Sequence, residues 1–180
     1  MLPLGTVMPA FQLPDLDGRL VSSADLSGAP AMLVAFICPH CPFVRHIGHE
    51  FARIANEYQP RGLSVVAINS NDVVAYPQDD LNGMRSEAQV TGYTFPYLFD
   101  ESQEVARAFH AACTPDLFLF DGAGRLAYRG QFDDSRPRTD VPVTGKDLRA
   151  AVDALLTGRA VPPDQKPSVG CNIKWKAGQR

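Results

Sequence analysis

The pattern of hydrophobic and polar positions first becomes regular at Ala31-Met32-Leu33-Val34-Ala35-Phe36-Ile37, an unbroken apolar run without a period. A run of this length and continuity predicts a central strand covered on both faces. A helical pattern follows, starting within Cys38 to Pro42: Phe43, Ile47, Phe51, Ile54 and Tyr58 recur three or four residues apart, and Arg45, His46, His49, Arg53 and Asn56 fall on the other side. Leu63-Ser64-Val65-Val66-Ala67-Ile68-Asn69 then repeats the buried-strand pattern. Strand, helix, strand at these lengths predicts a parallel pair with a right-handed crossover.

A polar, turn-rich stretch from Ser70 to Asp80 leads to helices predicted over Leu81 to Val90 and Ser102 to His110, with another strand near Tyr97. Asp116 to Asp121, the turn Gly122-Ala123-Gly124 and Arg125 to Arg129 read as a hairpin. A last amphipathic helix fits Lys146 to Leu156, with Leu148, Val152, Leu155 and Leu156 as its stripe and Thr144 as its cap. Together these elements predict one α/β domain over residues 1–180, a central mixed sheet with helices on both faces. Residues 1–30 form an N-terminal extension, and residues 161–180, with Cys171 and the single tryptophan Trp175, form a tail packed on the domain.

Composition narrows the function. The 180 residues are 45% hydrophobic and 21% charged, with a net charge of -3 and no basic cluster to follow a phosphate backbone, so nucleic acid is not an expected partner. No apolar run approaches the ~18 residues of a membrane helix. The start, Met1-Leu2-Pro3-Leu4-Gly5, has no basic residue before its apolar stretch, so a cytoplasmic location is expected. In that compartment four cysteines point to free, catalytic or metal-bound thiols rather than structural disulfides.

Two of those cysteines stand in the run Cys38-Pro39-His40-Cys41, where a buried strand hands over to a helix. The spacing alone fits half a zinc site, a packing coincidence or a redox pair, and the position favours the redox pair. There Cys38 is expected to face the unpaired N–H groups of the helix start, with Pro39 at the first helical position and His40 as a second cation-capable group. Such surroundings bring a thiol from about 8.5 into the range of roughly 3.5 to 7.5. Cys38 is thus the expected nucleophile and Cys41 the thiol that resolves a mixed disulfide. No organic cofactor or metal is implied. The expected partners are a disulfide-bearing protein or small molecule and a thiol electron donor.

The chain resembles the thioredoxin superfamily, and within it the peroxiredoxin-like (AhpC/TSA-type) proteins with a Cys-x-x-Cys motif. The resemblance lies in Leu4-Gly5-Thr6-Val7-Met8-Pro9-Ala10-Phe11, in Cys38 to His46, and in Gly170-Cys171-Asn172-Ile173-Lys174-Trp175-Lys176. It implies a thioredoxin-like fold and a cis-proline at Pro115, with the backbone around Thr114 as the edge that pairs with an extended substrate. The enclosed pair Pro-His is that of DsbA-type oxidants, yet residues 70–96 leave no room for a DsbA-like helical insert.

The peroxiredoxin resemblance also has gaps. Aligning Cys41 with the peroxidatic cysteine puts Cys38 where that family has Thr or Ser, and Pro115 where it has Arg. A thiol peroxidase built on Cys41 or Cys38 is therefore the second reading. A Cys/His metal module using Cys38, Cys41, His46 and His49 is the third, against the simpler reading of both histidines as solvated surface. Cys113 and Cys171 are auxiliary thiols or small packed side chains. Asn69, Asn71, Asp72 and Gln131-Phe132-Asp133-Asp134 sit at strand ends, where polar loop chemistry also explains them. A DsbA-like potential near about -120 mV, against a cytosolic poise below about -220 mV, would keep the pair reduced, so reduction of partner disulfides is the expected direction.

Overall fold

In the computed structural model, which describes residues 2–178, the chain runs β1 (Gln12–Pro14), β2 (Leu20–Ser22), β3 (Ala31–Phe36), α1 (Pro42–Tyr58), β4 (Leu63–Asn69), α2 (Leu81–Thr91) and β5 (Tyr97–Phe99). It continues with α3 (Glu104–Ala108), β6 (Cys113–Thr114), β7 (Asp116–Asp121), β8 (Leu126–Tyr128), α4 (Lys146–Leu156) and β9 (Cys171–Asn172). Five strands form one mixed sheet in the order β5-β4-β3-β7-β8. β3 and β4 are parallel, as are β4 and β5, while β7 runs antiparallel to β3 and to β8.

All six residues of β3 are buried, and the alternation of a strand divides them between two cores. Ala31, Leu33 and Ala35 pack with Val44, Ile47 and Phe51 of α1, Met84 of α2, and Leu148 and Val152 of α4. Met32, Val34 and Phe36 pack with Ala106 of α3, with Phe109, and with Phe11 and Leu13 of the N-terminal segment. The continuous apolar run thus records helices on both faces of the sheet. Phe36, Phe109 and Phe118 meet edge to face, with ring centroids 5.4 to 5.7 Å apart, each burial worth roughly 1.5 to 3 kcal/mol.

The start of α1 falls within the expected Cys38 to Pro42, but three details differ: the place of Pro39, the length of α3 and the cap of α4. Helix α1 begins at Pro42, and Cys41, with φ -68° and ψ 120°, is its N-cap. The residue before a proline is pushed out of the helical region, so Cys41 cannot be helical, and Pro39 and His40 form a separate turn upstream. Pro39 therefore does not occupy the first helical position. Helix α3 is shorter than Ser102 to His110 because Gln103 and His110 both take positive φ, 63° and 51°. Thr144 does not cap α4: Gly145 does, at φ 63°, while Asp133 Oδ2 accepts the amides of Thr144 and Gly145 at 2.7 Å each.

Candidate active site

Cys38 and Cys41 leave the end of β3 and are both wholly buried. Opposite them the Thr114–Pro115 peptide bond is cis, and Thr114 contacts both thiols. Its Oγ1 lies 3.3 Å from Cys38 Sγ, and its carbonyl accepts from Cys41 Sγ at 3.0 Å. The two thiols also act on each other, and that interaction governs their ionisation. It holds Cys41 down at about 4 against the opposing effect of burial, helped by Thr114 and the Val44 amide of the first helical turn. The same interaction, then burial and the nearby Asp79 charge, pushes Cys38 up. Sulfurs this close lose their protons as a pair: the first leaves easily because the thiolate accepts the neighbouring S–H, the second with great difficulty. The helix start therefore acts on Cys41 rather than directly on Cys38, a correction to the arrangement expected from the motif.

His40 lies beside the pair, its Nδ1 3.9 Å from Cys38 Sγ. The same Nδ1 is 2.5 Å from Asp79 Oδ2, and the His40 amide donates to Asp79 Oδ1 at 2.9 Å. Because one ring nitrogen serves both contacts, its proton is committed to the carboxylate. The three groups are not a relay in which imidazole takes the thiol proton through one nitrogen while an acid steadies the other. Asp79, fully buried, accepts also from Asn71 Nδ2 at 2.8 Å, and Asn69 Nδ2 donates to the Asp79 carbonyl at 2.8 Å. Asn69 and Asn71, noted in the sequence only for their place after a strand, thus hold a buried carboxylate against the motif. Asp79 itself carried no signal: an acidic residue in a polar turn reads as solvated.

The edge at Thr114 is already taken. β9 pairs antiparallel with β6, setting Thr114 opposite Cys171 and Cys113 opposite Asn172. The expectation that this backbone lies open to an extended substrate is overturned, since the chain's own tail forms the ladder there. Beyond β9 the tail is fixed by Lys174, whose amide donates to Asn71 Oδ1 at 2.9 Å and whose carbonyl accepts from Asp72 N at 2.8 Å. Gly170 allows the approach, because a Cβ there would overlap the Thr114 carbonyl oxygen and lie 3.1 Å from Pro115 N.

Cys171 is half-buried and packs against the core cluster that contains Cys41, whereas Cys113 points its thiol at Pro115 O, 3.5 Å away. Burial pushes the Cys113 thiol up to about 12, which suits a packed side chain better than a nucleophile. His46 is half-buried with Nε2 2.7 Å from Ser135 Oγ, and His49 is exposed. Among the described residues the donors gathered within 4.8 Å of one another are those of Cys38, His40 and Asp79, so His46 and His49 do not complete the metal cluster considered from the sequence. In the 131–134 run, Asp133 ties the α4 start, and Gln131 Nε2 donates to Asp134 and Asp147.

The fold, the paired thiols and the cis-proline meet a matching family pattern, that of the AhpC/TSA family, over residues 4–129. The chain belongs to the AhpC/TSA family. A hypothetical protein from Sinorhizobium meliloti 1021 has 53% identity and a TM-score of 0.97, over 99% of this chain and 97% of its own. The thiol-disulfide oxidoreductase ResA of Geobacillus thermodenitrificans is 30% identical over 125 residues, 68% of this chain and 66% of ResA. A crystal structure described as a thiol:disulfide interchange protein DsbE from Chlorobium tepidum shares the fold at TM-score 0.70 with 22% identity, over 87% of this chain and 99% of its own. The chain spans less than two thirds of the length of the Mycobacterium tuberculosis relatives it matches, 63% at 30% identity. No helix among the described residues is long and apolar enough to cross a membrane.

This AhpC/TSA chain carries a second buried carboxyl near the motif. A cleft of about 430 Å³ is lined by Pro39, Arg45, His49, Gln78, Glu87 and Val90, among others. Glu87 accepts from Tyr97 Oη at 2.8 Å and Tyr93 Oη at 3.4 Å, yet burial raises its carboxyl to about 7. Between its ordinary 4.5 and about 7 the folded chain holds a proton that the unfolded chain has lost, so Glu87 makes stability fall as pH rises through that window. In Glu87→Gln that loss, roughly 2 to 3 kcal/mol, is expected to disappear. Urea titrations at pH 5 and pH 8 check this: parallel pH dependence in parent and variant would refute it.

Proposed function

We propose that the chain is a thiol-disulfide oxidoreductase in which Cys38 attacks and Cys41 resolves, reducing disulfides of protein or small-molecule partners in the cytoplasm with electrons from an external thiol. The observation that carries the reading is the pair of buried thiols, both in contact with Thr114, facing the cis peptide at Thr114–Pro115. Thr114 favours placing the charge on Cys38 at the moment of attack. Its hydroxyl is within reach of Cys38 Sγ, while a protonated Cys41 donates to its carbonyl; a thiolate at Cys41 would instead face that carbonyl oxygen at 3.0 Å. Moving one proton from Cys38 to Cys41 therefore arms Cys38 without an outside base.

The Cys38 thiolate then attacks one sulfur of the partner disulfide, breaking that bond and releasing a thiolate. Cys41 gives up its proton and attacks Cys38 Sγ, forming the Cys38–Cys41 disulfide and releasing the second partner thiolate. Two electrons have passed to the partner, and an external thiol restores the pair. The relative ResA carries the name of this activity. With β9 on the substrate edge, small disulfides or segments able to displace the tail fit better than long extended peptides.

Equilibration in glutathione buffers is expected to give one two-electron transition for the parent, with Cys38 and Cys41 protected together from alkylation. Absence of a reversible transition would refute the reading. A second reading, thiol peroxidase, is favoured by family membership and by the low first ionisation of the pair. Consumption of hydrogen peroxide dependent on added thiol at a rate above that of disulfide reduction would put it first.

A further inference from the structure

Neither redox sulfur reaches solvent in the reduced fold, since Cys38 and Cys41 are both wholly buried, and a reductant must find some way to them. Among the described residues, the tail places a further thiol, Cys171, against the core cluster that holds the pair. β9 lies across the cis-proline edge as an added strand, the position a bound substrate segment would take, and it presents a cysteine there. Three observations fix it: the Thr114 to Cys171 register, the Gly170 backbone pressed against Thr114 and Pro115 N, and the Lys174 ladder to Asn71 and Asp72. Cys171 packs against the core cluster that contains both redox cysteines, yet it is itself half-exposed. Cys41 Sγ donates to the Thr114 carbonyl at 3.0 Å and Cys171 is the register partner of Thr114, so the pair and the tail thiol meet at one peptide.

We propose that Cys171 is a third redox thiol, which exchanges with the Cys38–Cys41 disulfide to carry the oxidised bond to the tail, where a small thiol reductant can reach it. The inference rests on the oxidoreductase reading of the pair. In the step, Cys171 sulfur attacks Cys41 sulfur: the Cys41–Cys171 bond forms, the Cys38–Cys41 bond breaks, and Cys38 leaves as a thiolate that takes up the proton lost by Cys171. No electrons are gained or lost overall. An external thiol then attacks the Cys171 sulfur, releasing Cys41, and a second thiol removes the resulting adduct as its own disulfide. Burial and the neighbouring Cys41 raise the Cys171 thiol to about 11, so it stays protonated while the pair is reduced.

The test uses the full chain as Cys38→Ser, with Cys38→Ala as a second variant, equilibrated in oxidising glutathione buffer, quenched in acid, alkylated and mapped by peptide mass spectrometry. Of the three thiols left in each variant, Cys41 and Cys171 are expected to be lost to alkylation together, as one linked peptide, leaving Cys113 free. Adding Cys171→Ser should abolish the linkage. Recovery of Cys41 as a glutathione adduct or free thiol, with Cys171 still alkylated in both variants, would overturn the proposal. The parent run alongside keeps the two readings apart: failure to form its Cys38–Cys41 disulfide refutes the oxidoreductase reading, whereas formation of that bond without any Cys41–Cys171 product in the variants refutes only the role of Cys171.

Discussion

Replacing Cys38 by serine is expected to bring catalysed disulfide reduction down to the uncatalysed rate, whereas Cys41→Ser will stall after one half-reaction with the partner covalently held at Cys38. The asymmetry follows from the contacts of Thr114. Its hydroxyl stands by Cys38 and its carbonyl by Cys41, so the two sulfurs, equally buried, differ in which one tolerates a charge. In Cys38→Ser the hydroxyl still donates to Cys41, which therefore keeps a thiol ionising well below the ordinary range. That variant is expected to hold Cys41 as a thiolate near neutral pH, read by thiolate absorbance, and yet will not turn over. Cys41→Ser removes the attack that ejects the second partner thiolate, and non-reducing electrophoresis with a protein disulfide should show the trapped adduct. Turnover of Cys38→Ser, or an adduct at Cys41 in place of Cys38, would reverse the assignment of roles.

The parts of this fold visible in the sequence are those that depend on local pattern. The run at residues 31–37 announces a strand with two cores because every position is apolar, and α1 and α4 show their stripes because only one side of each is buried. The cysteine pair was likewise legible from its motif, and Pro115 from the resemblance to thioredoxins. What escaped depends on distant partners. The true start of α1 was decided between Pro39 and Pro42, both acceptable at a first helical position. The decision came from the effect of Pro42 on Cys41 and from Asp79, which binds the His40 amide and keeps that turn outside the helix. β9 is two residues long, too short for a period, and exists because Gly170 lets the tail approach Thr114. Asp79 was invisible for the same reason, since its burial is created by His40 and Asn71, residues that read separately as a motif filler and a loop amide.

Asp79 is also where stability and redox poise can be separated. Asp79→Asn keeps the size of the side chain but replaces one acceptor oxygen by a donor. The His40 amide, His40 Nδ1 and Asn71 Nδ2 all bring hydrogens to the two carboxylate oxygens, so at least one buried donor loses its partner. A loss of roughly 2 to 4 kcal/mol in unfolding free energy is expected, measurable by urea titration. The same substitution removes a negative charge that pushes Cys38 up. A thiolate at Cys38 then forms more easily, the dithiol form is favoured, and the Cys38–Cys41 disulfide becomes more oxidising, by about 30 mV for each 1.4 kcal/mol of added thiolate stabilisation. A purely architectural role for Asp79 would lower stability without moving the potential in a fixed direction. A rise in potential in glutathione buffers, with an alkylation profile shifted to lower pH, therefore identifies Asp79 as the residue that keeps this pair reducing, and a fall in potential would show that its grip on His40, rather than its charge on Cys38, sets the poise.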